Sequence, residues 1–136
     1  MTEFNFEADI EVFGFPANSF PAGIGDAFEI LIQKTGDRAG TRNYYGLSNF
    51  KNEKIVYYAL AEEKFHGEAE KYNYEKFNIE KGNYLTVSVF DWQKKTNSIK
   101  DIFSEIILDP RVNKTKPAIE WYKSEDEMMC LVQMND

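Results

Sequence analysis

One succession of sequence patterns occurs twice in this chain, and it limits the folds that the chain can adopt. In the first half, an alternating apolar segment at 4–15 precedes a short helical pattern and two β-rich runs, 43–47 and 55–60. In the second half, alternating segments at 72–90 precede a clearer helical pattern and two further apolar strands. The repeat predicts a duplicated α+β unit, and two such units can pair into one curved sheet.

Each half contains one amphipathic helix by its sequence signals. The first is expected to begin near Gly25, with an acid in its first turn, and to end at Gly36. Ser98 and Asp101 mark the start of the second, whose apolar residues recur at helical spacing until Pro110 ends the pattern. Core packing explains the apolar stripe of this second helix without any interaction motif.

Length and composition narrow the class of protein. The chain has 136 residues, which fits one domain with pseudo-repeats at about 1–65 and 66–136. Aromatic residues make up 15% of the chain, so we expect some rings to line a cavity or a surface site. The net charge of −7 repels phosphate backbones, and we expect no direct nucleic-acid partner. Such a charge favours cationic ligands or basic protein surfaces, or serves solubility alone.

The sequence shows no sign of a disulfide, a membrane span or a metal site. A single cysteine, Cys130, excludes an internal disulfide and fits a reducing compartment. Residues 1–9 lack a basic segment, and no apolar run approaches the ~18 residues of a membrane span. We therefore expect a cytoplasmic protein that does not contact the membrane. His66 has no second His or Cys nearby, so we expect neither a metal site nor a cofactor.

Glu120 is the residue whose position needs a reason, because it lies inside an apolar, aromatic strand. Strand alternation places Ala118, Glu120 and Tyr122 on one face. If that face is concave, a carboxylate lies in an aromatic pocket, and such a pocket suits lipophilic cations. The other interpretation is a solvated sheet face on which Glu120 pairs with a lysine.

Three short motifs of the second half occur in a fixed order. An I-x-x-G-x-Y strand spans 79–84, a helix ends near 109–110, and a P-x-x-E-x-Y strand spans 117–122 before a last apolar strand. In the first half, 20–23 and 44–46 fit the same pattern more loosely. Together these features resemble the GyrI-like small-molecule-binding domain, which is also the effector-binding domain of multidrug-responsive bacterial transcription activators.

The resemblance implies two βαββ units in pseudo-two-fold relation. They would form one curved antiparallel sheet with two helices on one side and a ligand cleft between the halves. Glu120 matches the central acidic residue of the family, which accepts a cationic or polar ligand group. From pseudo-symmetry and strand phase we expect the cleft walls to contain Tyr44, Tyr122, Tyr84 and Trp92, with Phe20 as a further candidate.

Three functions remain open at this point. Unlike the activators, the chain shows no helix-turn-helix, so we expect a stand-alone protein that senses or sequesters amphipathic, cationic compounds, as a monomer or weak dimer. One alternative is a hydrolase of reactive small molecules that uses Glu120, as some GyrI-like proteins are, although no nucleophile motif identifies a catalytic residue. The other is an inhibitor that docks on a DNA-acting protein partner through acidic clusters at 62–63 and 125–127.

Overall fold

The computed structural model describes residues 1–19, 22–36, 42–51 and 54–135. The helices are α1 (Ile24–Thr35), α2 (Glu68–Tyr72) and α3 (Ile99–Leu108), and two short 3-10 turns at Trp92–Lys94 and Thr96–Ser98 precede α3. The strands are β1 (Thr2–Phe6), β2 (Ile10–Pro16), β3 (Tyr44–Lys51), β4 (Lys54–Glu62), β5 (Glu75–Ile79), β6 (Gly82–Phe90), β7 (Ala118–Tyr122) and β8 (Glu127–Gln133).

All of these strands form one antiparallel sheet in the order β1-β6-β8-β7-β3-β4-β2-β5. The order is symmetric about its centre, where β3 of the first half pairs with β7 of the second. The predicted α+β fold, with one curved antiparallel sheet built from two related units, is confirmed. Each unit also has an additional edge strand, β1 or β5, and each edge strand pairs with the opposite half.

The pairing of β3 with β7, which we call the seam, defines the pseudo-two-fold axis. Its register runs from Tyr44 opposite Tyr122 to Ser48 opposite Ala118. The pair at the centre of this register is Gly46 and Glu120. The edge strands β1 and β5 also have the same order of exposed and buried residues, which supports the relation between the halves.

The helices cover one face of the sheet, here called the helix face. On the first half, Leu31 of α1 packs with Phe13, Ala59 and Ala61, and the small alanines let the helix approach the strands closely. On the second half, Ile106 of α3 packs with buried apolar side chains of β6 and β8. The helix α1 ends as predicted at Gly36, which has a left-handed φ of 65°.

The opposite, inner face is covered by the curling of the sheet itself. Its cluster of buried side chains, the inner cluster, is drawn entirely from strands in the described part of the chain. Phe4 and Phe6 on the edge strand β1 reach Trp121 on β7, with ring centroids 5.8 Å apart in both pairs. Because these strands are not adjacent, the contact shows how strongly the sheet bends toward this face.

Local boundaries differ from the sequence prediction in three places. The alternating segment predicted to begin at residue 72 starts instead as the end of α2, and its first strand begins at Glu75. The alternating segment 4–15 is broken at 7–9 into two strands, although its apolar pattern continues across the break. In the first hairpin, β3 continues to Lys51 and β4 begins at Lys54. Most of the polar segment between the two predicted β-rich runs is therefore strand. In the described ranges, no helix is long and apolar enough to cross a membrane.

Candidate functional site

Glu120 lies on the helix face, at the centre of the seam. Its neighbours across the strands are Gly46 on β3 and Cys130 on β8. The residue is only 9% exposed. A charged group this deeply buried requires partners, because removing a carboxylate from water is costly.

The partners of Glu120 are two phenol groups. The hydroxyl of Tyr57 on β4 donates to Oε1 of Glu120 at 2.6 Å, and the hydroxyl of Tyr122 donates to the same oxygen at 2.7 Å. The two hydroxyl oxygens lie 3.1 Å apart. Within the described residues, Oε2 accepts no hydrogen bond and no Lys, Arg or His forms an ion pair with Glu120.

Aromatic rings from both halves surround this group. Phe28 of α1 packs edge-on against Tyr122 at 5.2 Å, and Trp92 packs on the same ring at 5.0 Å. Phe28 also approaches Tyr44 and Tyr57, at 6.3 and 6.4 Å. Phe28, Tyr44, Trp92 and Tyr122 are half-buried, so apolar ring surface reaches solvent above the seam.

Burial dominates the electrostatics of the group. Desolvation raises the pKa of Glu120 above its ordinary value of 4.5, and the hydrogen bonds from Tyr122 and Tyr57 oppose that rise. Burial and the nearby carboxylate raise the pKa of both phenols well above 10.0. Burial and Glu120 also raise the pKa of Cys130 to about 12, so its thiol stays protonated at neutral pH and is unreactive.

The structure brings most of the expected wall residues together around Glu120. Tyr122 bonds to it directly, Trp92 packs on Tyr122, and Tyr44 lies opposite Tyr122 across the seam. Tyr84 is placed elsewhere: it is buried in the inner cluster, on the opposite face, and donates to the carbonyl of Glu80 at 2.7 Å. Phe20 lies outside the described residues.

Two members of the group were not found from the sequence. Tyr57 and its neighbour Tyr58 point to opposite faces, and a strand pattern alone does not say which face is which. The alanines at 59 and 61 carry the missing signal, because small residues mark the face on which a helix packs closely. Phe28 shows in the sequence only the apolar spacing of a helix, and the structure places its ring over the seam.

A small cavity lies away from the Glu120 group, on the opposite face of the sheet. It measures about 20 Å³, room for one water molecule, and is lined on the inner side by residues that include Tyr84, Glu80 and Lys116. Across the described part of the chain, no cluster of His, Cys, Asp and Glu has the composition of a metal site.

Known proteins share this fold but not this sequence. No family profile and no curated protein matches the chain. An integron cassette protein from the mobile metagenome of Vibrio cholerae has a TM-score of 0.70 at 16% identity, covering 98% of this chain and 95% of that one. The protein SAV2435, whose structure contains bound tetraphenylphosphonium, has a TM-score of 0.65 at 13% identity, covering 98% and 93%.

A third solved structure is described as a putative bacterial transcription regulation protein from Staphylococcus aureus MU50. Its TM-score is 0.57 at 13% identity, and the match covers 97% of each chain. At these identities the comparisons establish a common fold over nearly the whole chain.

Proposed function

We propose that this protein binds amphipathic organic cations above the seam, with Glu120 as the counter-ion, and so senses or sequesters them. The observation that carries the proposal is a buried carboxylate that no described cationic side chain pairs with, among half-buried aromatic rings. A structural carboxylate at such a position would be expected to have a Lys or Arg partner.

The chemistry of the group favours a cation over other ligands. A lipophilic cation would cover Oε2 of Glu120 and neutralise a charge that burial disfavours. The faces of Tyr122 and Trp92 would add cation–π attraction and apolar contact. An anion would meet the carboxylate and two phenol oxygens, so the site should reject it.

A neighbour of the same fold supports this ligand class. SAV2435 was solved with tetraphenylphosphonium, a monovalent cation covered by aromatic rings. At 13% identity, this likeness does not assign the ligand class to the present chain. The proposal that the chain binds such cations is therefore argued from the Glu120 group.

The test is a calorimetric titration with tetraphenylphosphonium at neutral pH. Wild type should bind it and should not bind tetraphenylborate, an anion of nearly the same shape. Glu120→Gln should weaken cation binding by at least about thirty-fold, since loss of a desolvated charge partner costs roughly 2–5 kcal/mol. Glu105→Gln, at an exposed position of α3, is the matched control because it changes the net charge equally.

Two results would contradict the proposal. Equal affinity of wild type and Glu120→Gln for the cation would mean that the carboxylate is not the counter-ion. Equal weakening by both substitutions would mean that the general negative field, rather than this site, attracts the ligand.

The raised pKa of Glu120 also favours a second function, general-base hydrolysis of an uncharged aromatic substrate. Glu120 would take a proton from the water that attacks an ester carbonyl and would pass it to the departing phenolate as the ester C–O bond breaks, while its phenol partners hold its orientation. Hydrolysis of p-nitrophenyl butyrate by wild type but not by Glu120→Gln, rising with pH through the pKa of Glu120, would support it. Equal rates for the two proteins would exclude this reaction at this site.

A further inference from the structure

Gly46 lies opposite Glu120 across the seam, and its missing side chain is required by the arrangement there. A Cβ built on Gly46 would overlap the hydroxyl of Tyr57 and would lie 2.6 Å from Oε1 of Glu120. The space next to the Gly46 backbone is therefore the space through which Tyr57 reaches the carboxylate.

The pseudo-two-fold axis relates Gly46 to a residue of the other half. The residue related to Glu120 by the symmetry of the seam is Gly46. One half thus supplies a carboxylate, and the other supplies an empty position filled by a hydroxyl from the neighbouring strand β4. The seam carries one acidic group instead of two.

We propose that Gly46 is a positioning and specificity-determining residue: it admits the Tyr57 hydroxyl to Glu120, so the site offers one internally hydrogen-bonded carboxylate to one positive charge. The inference rests on the proposed function and assigns the ligand class to monocations, with one bound per chain. A side chain at this position would push the hydroxyl away and leave the buried carboxylate with Tyr122 as its remaining donor.

The consequence is measurable in the ionisation of Glu120. Charge-assisted bonds from phenols favour the carboxylate over the carboxylic acid, and the Tyr57 bond opposes the effect of burial. Losing it should raise the pH at which Glu120 ionises. Among the described residues, the titratable groups on the strands around Glu120 that share its face are Tyr57 on β4, Tyr44 on β3, Tyr122 on β7 and Cys130 on β8.

The experiment measures the pH midpoint of tetraphenylphosphonium binding and, without ligand, the ionisation of Glu120 by carbon NMR of its carboxyl group. Gly46→Ala and Tyr57→Phe should each raise both midpoints by about one pH unit. The double variant should raise them no further, because both changes remove the same hydrogen bond. Gly25→Ala is the matched control, since a Cβ there meets no atom within 4 Å.

The outcomes separate this inference from the proposed function. Unchanged midpoints in Tyr57→Phe, or shifts that add in the double variant, would overturn the role of Gly46 even if the cation binds. If wild type binds no cation, the NMR midpoints still test the positioning role while the proposed function fails. Should Gly46→Ala not fold, Tyr57→Phe alone decides, since it removes the hydroxyl and keeps the ring.

Discussion

Both faces of the sheet carry tyrosines, but the tyrosines have different surroundings on the two faces. On the inner face, Tyr45 and Tyr84 are about 1% exposed and are packed among apolar side chains from other strands. On the helix face, Tyr44 and Tyr122 are half-buried and lie opposite each other across the seam, and the hydroxyl of Tyr122 donates to the carboxylate of Glu120. The difference teaches that aromatic content alone does not locate a binding site. What separates the faces is the buried carboxylate of Glu120 among the rings of the helix face, since both faces have partly exposed rings.

The two tryptophans provide the largest test of this comparison. Trp121 packs in the inner cluster against Phe4, Phe6 and Tyr45, so Trp121→Ala should lower the free energy of unfolding by about 3–5 kcal/mol. Trp92→Ala should lower it by only about 1–2 kcal/mol but should weaken tetraphenylphosphonium binding by about ten-fold. Urea denaturation and calorimetry measure the two effects. Equal destabilisation without a loss of affinity would mean that both faces are merely structural.

The pH dependence of stability sharpens the comparison further. Because burial raises the pKa of Glu120 above 4.5 in the folded state, the stability associated with its protonated form is present below that pH. It is lost as the pH rises through the folded-state pKa. Glu120→Gln should therefore be more stable than wild type at pH 8, by about 1–3 kcal/mol, and nearly equal at pH 4.

Urea denaturation at both pH values, without ligand, measures this difference. A stabilisation that is the same at pH 4 and pH 8 would show that Glu120 keeps its ordinary pKa. A loss of stability at pH 8 would show that the charged carboxylate contributes to the fold rather than costing it.

Removal of single hydroxyl groups is the smallest test. Tyr84→Phe removes the bond to the carbonyl of Glu80 on the inner side and should cost about 1 kcal/mol with no change in cation affinity. Tyr122→Phe should destabilise by a similar amount but should also shift the pH midpoint of binding upward, because it removes a donor to Glu120. A shift caused by Tyr84→Phe would contradict the separation of the two faces.

Much of the fold could be predicted because its signals are local. The helix α3 follows from the spacing of its isoleucines and from Pro110, and α1 follows from the pattern that ends at Gly36. The last two strands and the order of the elements follow from alternation and turn residues. The break at 7–9 was missed because an exposed connection between two strands can continue their apolar alternation.

The site was less predictable because it depends on which face of each strand points to the helices. The position of Glu120 inside an aromatic strand was visible in the sequence, and so was Tyr122 two residues later. The sequence does not tell which of Tyr84 and Tyr57 faces the helices, because each lies in a strand with apolar residues on both faces. Gly46 lies opposite Glu120 because of the register between β3 and β7. That register joins distant parts of the chain, so no local sequence pattern predicts it.

The exchange of edge strands between the halves also determines the order in which the molecule can be assembled. Thr2 on β1 bonds to Thr86 on β6, 84 residues later in the chain, so β1 cannot pair until β6 has been synthesised. The seam joins elements almost as distant. Neither half can complete its own sheet, and the Glu120 group forms only after β7 has been synthesised and has paired with β3.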